Sequence, residues 1–118
     1  KIGNGFGITG GSVIAAERIE IGNGVLIGAN CLIVDTDFHP LVRDKRRMKP
    51  KTAESQPVKI EDEVFIGANS IILKGSSIGA GTVIGAGSVV AGKIPSQVIA
   101  AGNPVRIIRE LQSSGGVS

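Results

Sequence analysis

An aliphatic residue recurs every six positions along most of this 118-residue chain. In the second half it is Ile60, Ile66, Ile72, Ile78, Ile84 and Val90. The same spacing runs through Ile2, Ile8 and Ile14, and, after one inserted residue near Glu17, through Ile21, Ile27 and Ile33. Four positions beyond the second-half aliphatics stand Val64, Ser70, Ser76, Thr82, Ser88 and Ile94, mostly small or β-branched. Glycine often follows the aliphatic directly, as at Gly67, Gly79 and Gly85. A period of six fits neither an amphipathic helix (~3.6) nor a half-buried strand (~2). It fits a short strand plus a turn, with one inward aliphatic per unit. Three units close a triangular coil of about eighteen residues, and such coils stack as parallel strands ~4.8 Å apart.

The residue usage agrees. Ile and Val number 29 against 5 Leu, and the aromatics are Phe6, Phe38 and Phe65 alone. β-branched side chains suit pleated strands, and a narrow core needs no large rings to fill it. Glycine, 18 of the residues, is expected to supply positive φ at the corners. The expected fold is all-β, a parallel β-helix forming one domain over residues 1–111. Periodicity does not give its hand. Near the end, Val105, Ile107, Ile108 and Leu111 have roughly helical spacing behind Asn103 and Pro104, suited to an N-cap and a first helical turn. This predicts a short capping helix over residues 103–111 that covers the last open strand edge. Residues 112–118 read as a flexible tail.

Residues 35–57 break the repeat. They hold the chain's one histidine, His39, and from 43 to 51 they carry Arg43, Lys45, Arg46, Arg47, Lys49 and Lys51 against the single acid Asp44. Excursions from a rigid scaffold often carry function. An imidazole with a reference pKa of ~6.5 suits a general base near neutral pH. The same histidine also reads as a solvated loop residue, and the basic run as a solvated loop or a phosphate-binding one.

Other classes are disfavoured. No apolar run nears the ~20 residues of a membrane span. Without Trp or Tyr for stacking, and without a groove-reading helix, no nucleic-acid partner is expected. One histidine and one cysteine do not make a three-histidine zinc site within one chain, so no metal is expected. A lone thiol, Cys31, and no visible leader point to a cytoplasmic protein.

The stretches IGNGVLIGANCLIVDTDFHPL and PVKIEDEVFIGANSIILKGSSIGAGTVIGAGSVVAGKIPSQVIAAGNPVRIIREL resemble the hexapeptide-repeat acyltransferases, closest to the maltose, galactoside and lipopolysaccharide O-acetyltransferase branch. The resemblance covers residues 20–111. It implies a left-handed parallel β-helix, a homotrimer with active sites between subunits, and acetyl-CoA as co-substrate in the groove between prisms. It implies an acetyl transfer to a hydroxyl of a sugar, or of a polysaccharide or lipopolysaccharide precursor, with His39 as base. Ala68 is the candidate for the main-chain oxyanion donor and a cofactor contact. Glu17 matches an acidic position contacting the acceptor. Glu54 could orient His39, with Asp35 and Asp37 competing for that task. Phe65 stands where relatives commonly have Trp beside the acceptor or thioester. Ala86 matches a corner lining the pantetheine arm, and Arg106 and Arg109 match basic positions near the CoA phosphates. Relatives commonly have Thr-Lys-Asp where this chain has Ala91-Gly92-Lys93, which makes Lys93 a displaced candidate phosphate ligand. Antibiotic or amino-sugar N-acetylation and a non-catalytic structural β-helix are the alternative readings.

Overall fold

The computed structural model describes residues 7–8, 11–15, 18–35 and 56–111. Within them the chain forms β1 (Gly7–Ile8), β2 (Ser12–Ile14), β3 (Ile19–Ile21), β4 (Leu26–Ile27), β5 (Leu32–Val34), β6 (Val58–Ile60) and β7 (Phe65–Ile66). It continues through β8 (Ile71–Ile72), β9 (Ser77–Ile78), β10 (Val83–Ile84), β11 (Val89–Val90), β12 (Lys93–Ile94), β13 (Val98–Gly102) and β14 (Val105–Glu110). Successive strands pass to three different sheets in turn, so every third strand pairs. The orders are β1-β4-β7-β10-β13-β14, β2-β5-β8-β11 and β3-β6-β9-β12. All pairings up to β13 are parallel. This is the three-sided β-helix that the period of six requires.

Register stacks like on like. Ile27, Ile66, Ile84 and Ala100 form one inward column, Ile33, Ile72 and Val90 a second, and Ile21, Ile60, Ile78 and Ile94 a third. All of them are buried. Burying each such side chain is worth roughly 1.5–3 kcal/mol, which is what holds strands of only two or three residues in place. At the corners, small polar residues turn inward and donate to main-chain carbonyls. Ser76 Oγ donates to Val90 O at 3.0 Å and Thr82 Oγ1 to Pro95 O at 2.6 Å. No described buried side-chain polar atom lacks a partner.

Four features differ from the sequence reading. In the first coil Val13, not Ile14, pairs with inward Ile33, and Ile14 is 40% exposed. Two adjacent aliphatics carry the same hydropathy, and the chain shortens this unit by one residue. The fourth coil is also short. Val83 pairs with Ile99 and Ser77 with Lys93, sixteen residues on. Ile94 is therefore an inward aliphatic, not a corner residue. Third, the glycines after the aliphatics are not the positive-φ positions. A Cβ on Gly28 would lie 2.7 Å from the Ala68 nitrogen, and one on Gly67 2.6 Å from the Ala86 nitrogen. Close coil stacking excludes the side chain there. The left-handed residues of that corner come two places later, at Asn30, Asn69 and Gly87.

Fourth, residues 103–111 do not form the expected capping helix. Asn103 and Pro104, joined by a cis peptide bond, make the turn of a hairpin, and β14 pairs antiparallel with β13. A helix this short, below the ~12–15 residues an isolated helix needs, is marginal in water. Three of the six β14 residues are β-branched, and the open edge of β13 offers unpaired main-chain groups. Strand pairing satisfies those groups and covers the edge, which is the task assigned to the helix. The end is fastened where Leu111 N–H donates to Gln97 O at 2.7 Å.

The three outer faces are unlike. The first carries Leu26, Phe65, Val83 and Ile99 in register, with Leu26 52% and Phe65 44% exposed. The second carries Leu32, Ile71 and Val89. The third carries Glu20, Lys59, Ser77 and Lys93.

Candidate functional site

The corner between the first and second sheets repeats the sequence Ile-Gly-Ala three times, at 27–29, 66–68 and 84–86. Its coils are knitted by Asn69 N–H donating to Ala29 O and Gly87 N–H to Ala68 O, both at 2.8 Å. These bonds use the amides after the alanines. Among the described residues no acceptor takes the N–H of Ala68 or of Ala86. Ala68 is half-buried and Ala86 exposed, and a Cβ on the neighbouring Gly87 would meet nothing within 4 Å. The edge thus offers two main-chain donors one coil apart, ~4.8 Å along the column, flanked by methyl groups and open on the outside.

The hairpin extends this edge. A Cβ on Gly85 would lie 2.8 Å from Ala101 Cβ, so β13 seats Ala101 over the corner. Ala101 pairs with Arg106 and Ile99 with Arg109. In a regular strand, residues three apart face opposite sides. The register shift between Ile99 and Ala100 brings both arginines opposite outward-facing residues of β13. Two exposed guanidinium groups therefore stand on one side of the hairpin, at the end of the donor edge, with forks suited to phosphate oxygens. Phe65 lies on the first sheet's outer face, two residues before Gly67–Ala68, between Leu26 and Val83.

Lys93 is not brought to this edge. It begins β12 on the outer face of the third sheet, beside Ser77, across a further corner of the prism. His39, Glu17, Asp37 and Glu54 lie outside the described residues, as do residues 36–55 and the tail. Asp35 is described and is fully buried. Sequence alone offers it as a partner of His39 and hides its main-chain contacts, because a loop carboxylate gives no hydropathy signal of burial.

A cleft of about 340 Å³ opens elsewhere, lined by Glu20, Asn23, Lys59, Glu61, Asp62 and Ala80 among others. Its three carboxylates against one ammonium disfavour a phosphate-bearing ligand. No group of three or more His, Cys, Asp or Glu able to hold a metal occurs among the described residues. No helix among them is long and apolar enough to cross a membrane.

Residues 57–92 match the family model described as bacterial transferase hexapeptide (six repeats). The chain is 41% identical over 96 residues to a galactoside O-acetyltransferase of Lactococcus lactis, covering 81% of this chain and 45% of that protein. A crystal structure of a maltose O-acetyltransferase from Clostridium difficile superposes with a TM-score of 0.84 at 37% identity, covering 95% of this chain and 59% of the other. A galactoside acetyltransferase in complex with coenzyme A superposes with a TM-score of 0.69 at 32% identity, covering 91% of this chain and 64% of the other. The chain thus spans less than two thirds of each of these proteins.

Proposed function

Because this chain belongs to the hexapeptide-repeat acetyltransferase family, we propose that it transfers an acetyl group from acetyl-CoA to a hydroxyl of a sugar or of a polysaccharide or lipopolysaccharide precursor. The observation that carries this reading is the edge at Ala68 and Ala86. Two unclaimed N–H groups, one coil apart, suit an extended thioester-bearing arm. Arg106 and Arg109 beyond them suit its phosphates.

In this reading His39 takes the proton of the acceptor hydroxyl as its oxygen attacks the thioester carbonyl. The carbonyl oxygen gathers negative charge, which the Ala68 N–H stabilises. Collapse breaks the carbon–sulfur bond, and the proton held by His39 passes to the departing CoA thiolate. No acyl-enzyme is needed. Glu17 and Phe65 hold the acceptor and Glu54 or Asp37 orients His39, with the basic residues 43–51 available to an anionic acceptor. Lys93 serves the phosphates only if a neighbouring prism brings it to the site.

The working form is a homotrimer with acetyl-CoA between adjacent prisms. The unlike faces support this: each prism in a three-fold assembly has two neighbours, and two faces here are apolar while the third carries Glu20, Lys59 and Lys93. Light scattering should give three times the monomer mass, and Leu26→Asp should lower it. A monomer at micromolar concentration would remove the shared site.

The deciding experiment is thiol release from acetyl-CoA with a panel of disaccharides, glycan fragments, amino sugars and hydroxyl-bearing antibiotics. A sugar hydroxyl should be the productive acceptor. His39→Ala should lower turnover by about 10²–10⁴, the range for lost acid–base assistance, while acetyl-CoA still binds. No thermal stabilisation by millimolar acetyl-CoA would leave a structural β-helix as the better account.

A further inference from the structure

Asp35 is the last described residue before the basic excursion, and Gln56 the first after it. The other buried polar residues described are the hydroxyls Ser70, Ser76, Thr82 and Ser88; Asp35, at 0% exposure, is the exception. Placing a carboxylate there is costly unless hydrogen bonds replace its water. Its Oδ2 accepts from the Arg18 main-chain N–H at 2.5 Å. Its carbonyl oxygen accepts from the Gln56 N–H at 2.8 Å, and its own N–H donates to Ile14 O at 3.4 Å. Arg18 is held from the other side as well, because its carbonyl oxygen accepts from Val58 N–H at 3.0 Å. Beyond that, Gly75 N–H donates to Gln56 O at 3.2 Å. The exit of the excursion, its return and the residue after Glu17 therefore meet at one buried residue, Arg18 through its carboxylate and Gln56 through its main-chain carbonyl.

We propose that Asp35 is a positioning residue for the transfer reaction. Its carboxylate ties the Arg18 main chain, next in sequence to Glu17, to the residue from which the segment carrying His39 departs, while its main-chain carbonyl holds the return of that segment at Gln56. The proposal rests on the acetyltransferase reading above. A hydrogen bond to an ionised acceptor is about twice as strong as a neutral one, which favours Asp over Ser or Asn at such a junction. The two elements it joins carry the candidate acceptor contact and the candidate base. A displacement of ~1 Å between reacting groups is enough to cost about 10²-fold in rate.

The test compares wild type, Asp35→Asn and Asp35→Ala by amide exchange and by steady-state kinetics on the best acceptor. In Asp35→Ala the Arg18 amide should exchange at least ~10-fold faster while the Ile66 and Ile84 amides keep their protection. Its kcat should fall about 10–100-fold, with the KM for acetyl-CoA within about twofold of wild type. Asp35→Asn keeps a carbonyl acceptor without the charge, so it should fall between the two on both measures. If Asp35→Ala does not fold, Asp35→Asn decides alone: faster Arg18 exchange together with a lower kcat supports the role, and wild-type values of either remove it. A kcat loss accompanied by equal deprotection at Ile66 and Ile84 would reduce Asp35 to a stability residue and overturn the proposal. A wild-type protein inactive on every acceptor sinks the acetyltransferase reading itself, whereas an active wild type with an indifferent Asp35→Ala sinks only the positioning role.

Discussion

A Cβ built on Gly67 would stand 2.6 Å from the main-chain nitrogen of Ala86 in the next coil. The two residues belong to the same corner of consecutive coils, so the spacing of the proposed cofactor donors is set by the absence of a side chain at Gly67. Gly67→Ala should force the coils apart and cost about 1–3 kcal/mol, as overpacking does. It should also weaken acetyl-CoA binding about tenfold, because Ala68 and Ala86 would both shift. Urea midpoints and calorimetric titration check the two effects. Lower stability with unchanged acetyl-CoA affinity would move the cofactor away from this corner.

Arg106 and Arg109 share a face only because of the register shift in the β13–β14 hairpin. If they bind the phosphates of CoA, replacing both with Gln should weaken acetyl-CoA about 10–100-fold at low salt. The difference from wild type should narrow as salt rises and screening lengths fall. Dephospho-CoA should show a smaller penalty than CoA. Equal affinities for wild type and the double variant across salt concentrations would mark both guanidinium groups as solvent-facing.

That hairpin also shows where the sequence was legible and where it was not. Ile66, Ile72, Ile78 and Ile84 announce the prism, because a six-residue period with one inward aliphatic has few other solutions. The bulge in the last strand disrupts its two-residue alternation. Val105, Ile107 and Ile108 then fall at spacings that mimic a helix, and pairing with the edge of β13, invisible in one dimension, decides the outcome. Val13 and Ile14 were indistinguishable by hydropathy, and only the pairing with Ile33 chooses between them. The candidate site divides in the same way. Ala68 and Ala86 were named through resemblance, while their unclaimed N–H groups follow from hydrogen bonding between coils. The alignment of Arg106 with Ala101 likewise needs three dimensions. Asp35 illustrates the limit: its burial depends on Ile14, Arg18 and Gln56 converging from separate segments.

Glu63 adopts φ 59°, in a corner column where Gly24 and Gly81 have φ 69° and 72°. A side chain in this left-handed region costs roughly 1–2 kcal/mol. Part of that is offset by the entropy that a glycine loses on folding. Glu63→Gly should therefore stabilise the chain by about 0.5–1 kcal/mol, and Gly81→Ala should destabilise it by at least as much. The urea midpoint should rise in the first and fall in the second, with the slope unchanged. A lower midpoint for Glu63→Gly would mean that its carboxylate, which lies over Gly24, contributes more than the backbone conformation costs.

Cys31 is buried, and its Sγ donates to Gly67 O at 3.1 Å. Ser70 occupies the same corner position one coil on and donates to Gly85 O at 3.2 Å, the equivalent carbonyl of its own next coil. The thiol therefore does at this level what a hydroxyl does above it, and nothing about the site requires sulfur. Cys31→Ser should change stability by less than about 1 kcal/mol, since a small apolar surface is exchanged for a stronger donor to the same acceptor. Activity should stay within about twofold of wild type and become indifferent to thiol-blocking reagents if it was sensitive before. Chemical denaturation and thiol release followed by an absorbance method that needs no free enzyme thiol check both. A loss of more than ~2 kcal/mol would show that the larger sulfur fills space that an oxygen leaves empty, and the corner column would then be packed by size and not by hydrogen bonding.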